Sequence, residues 1–208
     1  MKLHSDSFSQ GSPIPHAFAY AKPGAPLTMS DNRNPHLAWS DVPEGTRSFA
    51  LVCSDPDVPS KPDDVNQEGR EIPPELPRVE FVHWIMADIP ADCREIAAGS
   101  CSDGVTPRGK RDLAGPAGTH QGLNDYTNWF AGDAEMGGNY LGYDGPCPPW
   151  NDSLVHHYHF RLYALDVATL GLSGPFTVAD LRQAMEGHVL AEAGLMGTYS
   201  LNRRLLES

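Results

Sequence analysis

Apolar and polar residues alternate along several stretches of the chain, and that alternation predicts strands. In "LVHHYHFRLYALD" (154–166), His156, Tyr158, Phe160, Leu162 and Ala164 are two apart and share one strand face. The other face carries Val155, His157, His159, Arg161 and Tyr163 and is more polar. "HLAWSDVPEGTRSFALVCSD" predicts two strands joined by a turn at Pro43-Glu44-Gly45, and Phe49, Leu51 and Cys53 form a row that ends in Asp55. "RVEFVHWIMADIP" is apolar on both faces, which predicts a central strand. Its row is Val79, Phe81, Ile85 and Ala87, with His83 in the middle. "KLHSDSF" adds a fifth strand at the N-terminus. One helical pattern stands out, "TVADLRQAMEGHVLAEAG", with Val178, Leu181, Met185 and Val189 on one face. Thr177 and Asp180 resemble a capping box, Gly194 is the expected stop, and "LMGTYSLN" is a candidate last strand.

These elements predict a mainly β fold: a sandwich of antiparallel strands, a peripheral helix near the C-terminus, and long loops over 56–78 and 102–142. At 208 residues the expectation is one domain, 1–208. Nineteen prolines and twenty glycines, most of them between the apolar runs, suit short strands with elaborate loops. A net charge of −12 argues against nucleic acid as a partner. The N-terminus lacks the apolar segment of a signal peptide, and no apolar run approaches the length of a membrane span, so a cytoplasmic location is expected. Four cysteines without a CxxC pair disfavour a zinc ribbon; reduced thiols are the simpler expectation, with a disulfide left open.

Three strand faces each place polar groups in line with apolar ones. A buried polar group left unpaired costs about 1–3 kcal/mol. The simplest resolution is that Asp55, His83, His156 and Tyr158 meet at one end of the core, pair with one another and line a pocket. Replacing His156 would then cost little stability, because water at the pocket mouth could take its place.

The motifs "SDPDVPS" (54–60), "VHWIMADIP" (82–90), "YDGPCPP" (143–149) and "HHYHFRLYALD" (156–166) resemble the phosphatidylethanolamine-binding proteins, also called Raf kinase inhibitor proteins. Their order and spacing resemble those of the bacterial YbhB/YbcL branch, and the resemblance runs from about Met1 to Tyr199. It implies a β-sandwich whose small end pocket binds phosphate-like anions or phospholipid headgroups, without catalysis, cofactor or metal. For some members it also implies inhibition of a kinase or protease, although no such target is identified here. It assigns ligand binding to Asp55, Asp57, His83, Gly145, Pro148, His156 and Tyr158, with Pro59 following the DPD and Gly145 to Pro149 forming the G-x-x-P-P loop.

Gly145 would let the backbone approach the ligand, and the prolines would stiffen that loop. His157 stands where the family often has Arg, and Phe81 where Trp is common. The segments 127–139 and part of 61–78 look inserted and would reshape the mouth. A homodimer through Trp129, Phe130 and Trp150 is an expectation; folding of those rings over the pocket is the alternative. Two enzymic readings stay open: a 2-His-1-carboxylate metal set of Asp55, His83 and His156, and a thiol–His pair of Cys147 and His156.

Overall fold

The computed structural model describes residues 1–206; positions 207–208 of the expected domain lie outside the described residues. The chain runs β1 (Lys2–His4), a 3-10 turn (His16–Phe18), β2 (Ala21–Pro23), β3 (Leu27–Met29), β4 (Leu37–Ser40), β5 (Ser48–Pro59), β6 (Arg78–Pro90), β7 (Glu95–Ile96) and β8 (His120–Gln121). It continues through α1 (Tyr126–Trp129), β9 (His156–Leu165), α2 (Val178–Met185), β10 (Val189–Tyr199) and α3 (Arg203–Leu206). The main sheet has the order β10-β9-β5-β6-β8 and a smaller one the order β1-β4-β7, while β2 and β3 form a separate hairpin. All these pairings are antiparallel, so the fold is the expected mainly β sandwich. The strands around Pro43–Gly45 do not pair with each other: the turn carries the chain from one sheet to the other.

The core between the sheets joins Leu3, Leu37, Trp39 and Ile96 of the small sheet to Phe49, Leu51, Cys53, Phe160, Leu162 and Ala164 of the large one. Burial of each large apolar side chain contributes about 1.5–3 kcal/mol. Strand β9 buries alternate residues, as its pattern predicts, with His156, Tyr158, Phe160, Leu162 and Ala164 all inside. The opposite face of the large sheet packs Ala50, Val52, Ile85 and Ala87 against Leu181 and Met185 of α2.

Strand β6 departs from simple alternation. Ile89 pairs with Phe49 and Met86 with Leu51, so one extra residue is accommodated around Asp88, whose φ is 59°. Trp84 pairs with Cys53 and Val82 with Ser54, so His83 is a second extra residue. Each such bulge reverses the parity of the strand. The expected row of Val79, Phe81, His83, Ile85 and Ala87 is therefore broken: Ile85 and Ala87 face α2, while Trp84 and Met86 face the inter-sheet core. A third bulge lies in β5 between Asp55 and Val58, at the DPD motif.

The expected helix is also cut short. The Thr177–Asp180 capping box is present, but α2 ends at Met185. Gly187 follows with φ 79°, a conformation that favours glycine and stops the helix. Val189–Tyr199 is instead strand β10, paired along β9, and its small residues Ala193, Gly194 and Gly197 lie opposite Leu162, Arg161 and Tyr158.

Candidate functional site

The β5 row ends at Asp55, the β6 bulge turns His83 inward, and β9 begins with His156 and Tyr158. At this end of the large sheet lies a cavity of about 630 Å³. Asp55, His83, Tyr158, Cys147 and Pro148 line it, together with Tyr20 from the N-terminal segment and Phe81 and Tyr126. Pro62, Val65 and Asn66 of the loop after β5, and Asn128, Trp129 and Phe130 at α1, also form part of the wall. Both loops expected to shape the mouth thus contribute to it. Asn151 pins the first of them, donating to the carbonyls of Asp64 at 2.8 Å and Arg70 at 3.1 Å and accepting from the Asn66 N–H at 2.9 Å.

His156 does not line the cavity. It donates from Nδ1 to Asp55 Oδ2 at 2.6 Å and from Nε2 to Asp152 Oδ2 at 3.1 Å, and the ring is wholly buried. Asp152 in turn accepts two bonds from Arg78, at 2.6 and 3.1 Å. Burial opposes a charge on His156, but hydrogen bonds and the charges of Asp152 and Asp55 outweigh it and raise its pKa to about 9. Burial likewise opposes the Asp152 charge, and His156 and Arg78 override it and hold that carboxyl below the usual range. Two carboxylates, an imidazolium and a guanidinium form a closed chain beneath the pocket floor. The expectation that water could replace His156 is corrected: its site is sealed.

His83 faces the cavity differently. Its Nδ1 lies 2.7 Å from the Asp144 carbonyl, which can only accept, so Nδ1 carries the proton and Nε2 has no protein partner. Burial is the largest influence and pulls the His83 pKa down, against the pull of Asp55 and Asp144. The Tyr158 hydroxyl is buried within reach of Asp55, and the Tyr20 hydroxyl within reach of Tyr140, yet neither makes a hydrogen bond of good geometry. Burial and neighbouring negative charge raise both phenol pKa values, so both remain protonated donors.

Gly145 is near the site but does not line the cavity. Its N–H donates to Asn32 Oδ1 at 2.8 Å and its carbonyl accepts from the Tyr126 hydroxyl at 2.8 Å. A Cβ there would stand 2.2 Å from the Phe18 carbonyl oxygen. The glycine is required by packing against the N-terminal segment, which corrects the expectation that it lets the backbone approach a ligand. Asp57 also lies outside the lining; it accepts from the His157 backbone N–H at 2.9 Å and ring Nδ1 at 2.8 Å and fastens the start of β9 to the β5 bulge.

Both enzymic readings depend on His156. With both ring nitrogens of His156 committed to carboxylates, neither a metal nor Cys147 can use them. Burial pushes the Cys147 thiol up to about 12, so it is protonated at neutral pH. Among the described residues, no three His, Cys, Asp or Glu side chains are placed to hold a metal ion.

The motif order and this geometry agree with three comparisons. The family model for phosphatidylethanolamine-binding protein matches residues 4–200. A UPF0098 protein of Methanothermobacter thermautotrophicus is 34% identical over 96% of this chain and 98% of its own length. The UPF0098 protein YbhB of Escherichia coli is 30% identical over 96% of this chain and all of its own length. This chain belongs to the phosphatidylethanolamine-binding protein family. Among solved structures, Escherichia coli YbcL superposes with a TM-score of 0.70 at 26% identity, covering 96% of this chain and 97% of that one. A homologue from Chlamydia trachomatis gives 0.65 at 30% identity, with 96% of each chain covered.

Within that family frame, the residues that alternation could not reach are Tyr20, Tyr126, Asp152 and Arg78. All but Arg78, at the start of β6, lie outside strands and carry no periodic signal. Asp152 precedes His156 by four residues, a proximity that would have flagged it had the turn been foreseen. Of the three rings expected at a dimer interface or over the pocket, Trp129 and Phe130 line the cavity, while Trp150 packs on the inter-sheet core. No helix among the described residues is long and apolar enough to cross a membrane.

Proposed function

We propose that this chain, acting as one domain, binds a small ligand through a phosphate-like oxyanion, free or on a phospholipid headgroup, and performs no chemistry on it. The observation that carries the proposal is the Tyr158 hydroxyl, 1% exposed as a residue, lining a cavity and making no well-formed hydrogen bond within the protein. A buried unpaired hydroxyl is costly, and a bound acceptor removes that cost. Tyr20 supplies a second donor of the same kind. His83 can supply a third by taking a proton at Nε2 when an anion arrives. The family's name points the same way, since a phosphatidylethanolamine headgroup carries a phosphodiester.

Binding is favoured over catalysis because the two groups best suited to proton transfer or attack, His156 and Cys147, are held in unreactive states. Asp55 is no obstacle to an anion, since its charge is balanced by the His156 imidazolium. Calorimetric titration with inorganic phosphate tests the proposal. Wild type should bind, and Tyr158→Phe should lose about tenfold in affinity with its folding midpoint nearly unchanged, because the hydroxyl makes no well-formed hydrogen bond within the protein. Phosphate affinity equal in the two proteins, or no binding by wild type, overturns it.

A further inference from the structure

We propose that the ligand of this cavity is an aromatic oxyanion, with a planar ring between the head held at Tyr158 and the indole of Trp129. The inference rests on the oxyanion reading above and concerns the remainder of the ligand. The cavity of about 630 Å³ is far larger than any inorganic oxyanion; it has room for about twenty waters and falls in the range of organic-ligand sites. Its wall is mostly apolar and holds no lysine or arginine. Polyphosphates therefore find nothing to neutralise their added charge, whereas a single oxyanion on an apolar body suits both floor and wall.

Trp129 identifies the body as a ring. It is 48% exposed although it lines the cavity, and it makes no ring contact and no side-chain hydrogen bond. The other cavity aromatics are already engaged: Tyr20 stacks on Tyr126 with centroids 4.6 Å apart, Tyr126 on Phe130 at 5.8 Å, and Phe81 meets Tyr126 edge-on at 5.2 Å. That stack supports α1 from below, and the backbone N–H of Trp129 donates to the Asp125 carbonyl at 2.9 Å. The backbone of Trp129 is thus held in place, and its indole stands at the cavity wall without a partner, where a bound ring would cover it. Pro59, Pro62 and Val65 also line the wall and offer a flat, apolar surface to a bound ring.

Titration with inorganic phosphate, butyl phosphate and phenyl phosphate at constant pH tests the assignment. Phenyl phosphate should bind about tenfold or more tighter than inorganic phosphate, with butyl phosphate in between. In Trp129→Ala the ratio of phenyl to inorganic affinity should shrink toward one, and Trp129→Phe should restore part of it. If butyl phosphate matches phenyl phosphate, or the ratio survives Trp129→Ala, the aromatic assignment is overturned while oxyanion binding stands. If no phosphate binds and benzylammonium does, both readings are overturned together.

Discussion

His156 Nδ1 lies 2.6 Å from Asp55 Oδ2, and neither side chain is more than 1% exposed. The residue that begins the pocket face of β9 is thus a buried cation whose work is to hold a carboxylate. Through Asp152 the same ring reaches Arg78, so the two ends of the loop after β5 are tied to the start of β9.

That chain makes His156 a stability residue. His156→Ala would leave Asp55 and Asp152 buried without their shared cation, and the expected loss is about 3–5 kcal/mol. Urea unfolding at pH 7 checks it; a loss under about 1 kcal/mol would mean that water reaches the site.

The pH dependence follows with opposite signs on the two sides. The His156 pKa rises on folding from about 6.5 to about 9, so its contribution is complete below about 6.5 and is lost as pH rises through about 9. The Asp152 pKa falls on folding, so its contribution is present above about 4 and is lost as pH drops further. His83, buried with a lowered pKa, weakens the fold as pH falls below about 6.5. Melting temperatures should therefore be highest around neutrality and decline on both sides, with the alkaline decline missing in His156→Gln.

Gly145→Ala should destabilise the ligand-free protein by about 1–3 kcal/mol, since the new methyl meets the Phe18 carbonyl. Unfolding of the unliganded variant separates this from a ligand-contact role, in which only affinity would change.

Sulfate affinity should be strongest at acid pH and weaken as pH rises through the His83 titration, because only protonated Nε2 can donate to the anion. His156 adds nothing to that profile between about pH 5 and 8, being protonated throughout. Calorimetry in buffers of different ionisation enthalpy should show proton uptake on binding in wild type and none in His83→Gln.

Alternation along β9 and β5 was enough to place Asp55 and Tyr158 at one end of the core, because those strands keep a strict period of two up to the site. It misassigned β6, where two extra residues reverse the parity without a hydrophobicity signal. It misread 189–194 as helix because Val189 continued the face of Leu181 and Met185, while the positive φ at Gly187 that ends the helix is not visible as periodicity. Tyr20 and Asp152 were out of reach for another reason: their neighbours in space are more than a hundred residues away or lie around an irregular turn.

The bulge at His83 carries a further consequence for how this strand tolerates change. Strand β6 acts as a frame-shifted reading of two surfaces, pocket and inter-sheet core on one side, helix contact on the other. A substitution there alters one contact. Removing His83 would erase the bulge and exchange nothing: Val82 and Trp84 would stay opposite Ser54 and Cys53, with Ile85 and Ala87 still toward α2 and Trp84 and Met86 toward the core between the sheets. The extra residue is one that the sheet can spare and the pocket cannot: deletion of His83 should leave a folded protein that no longer binds the anion.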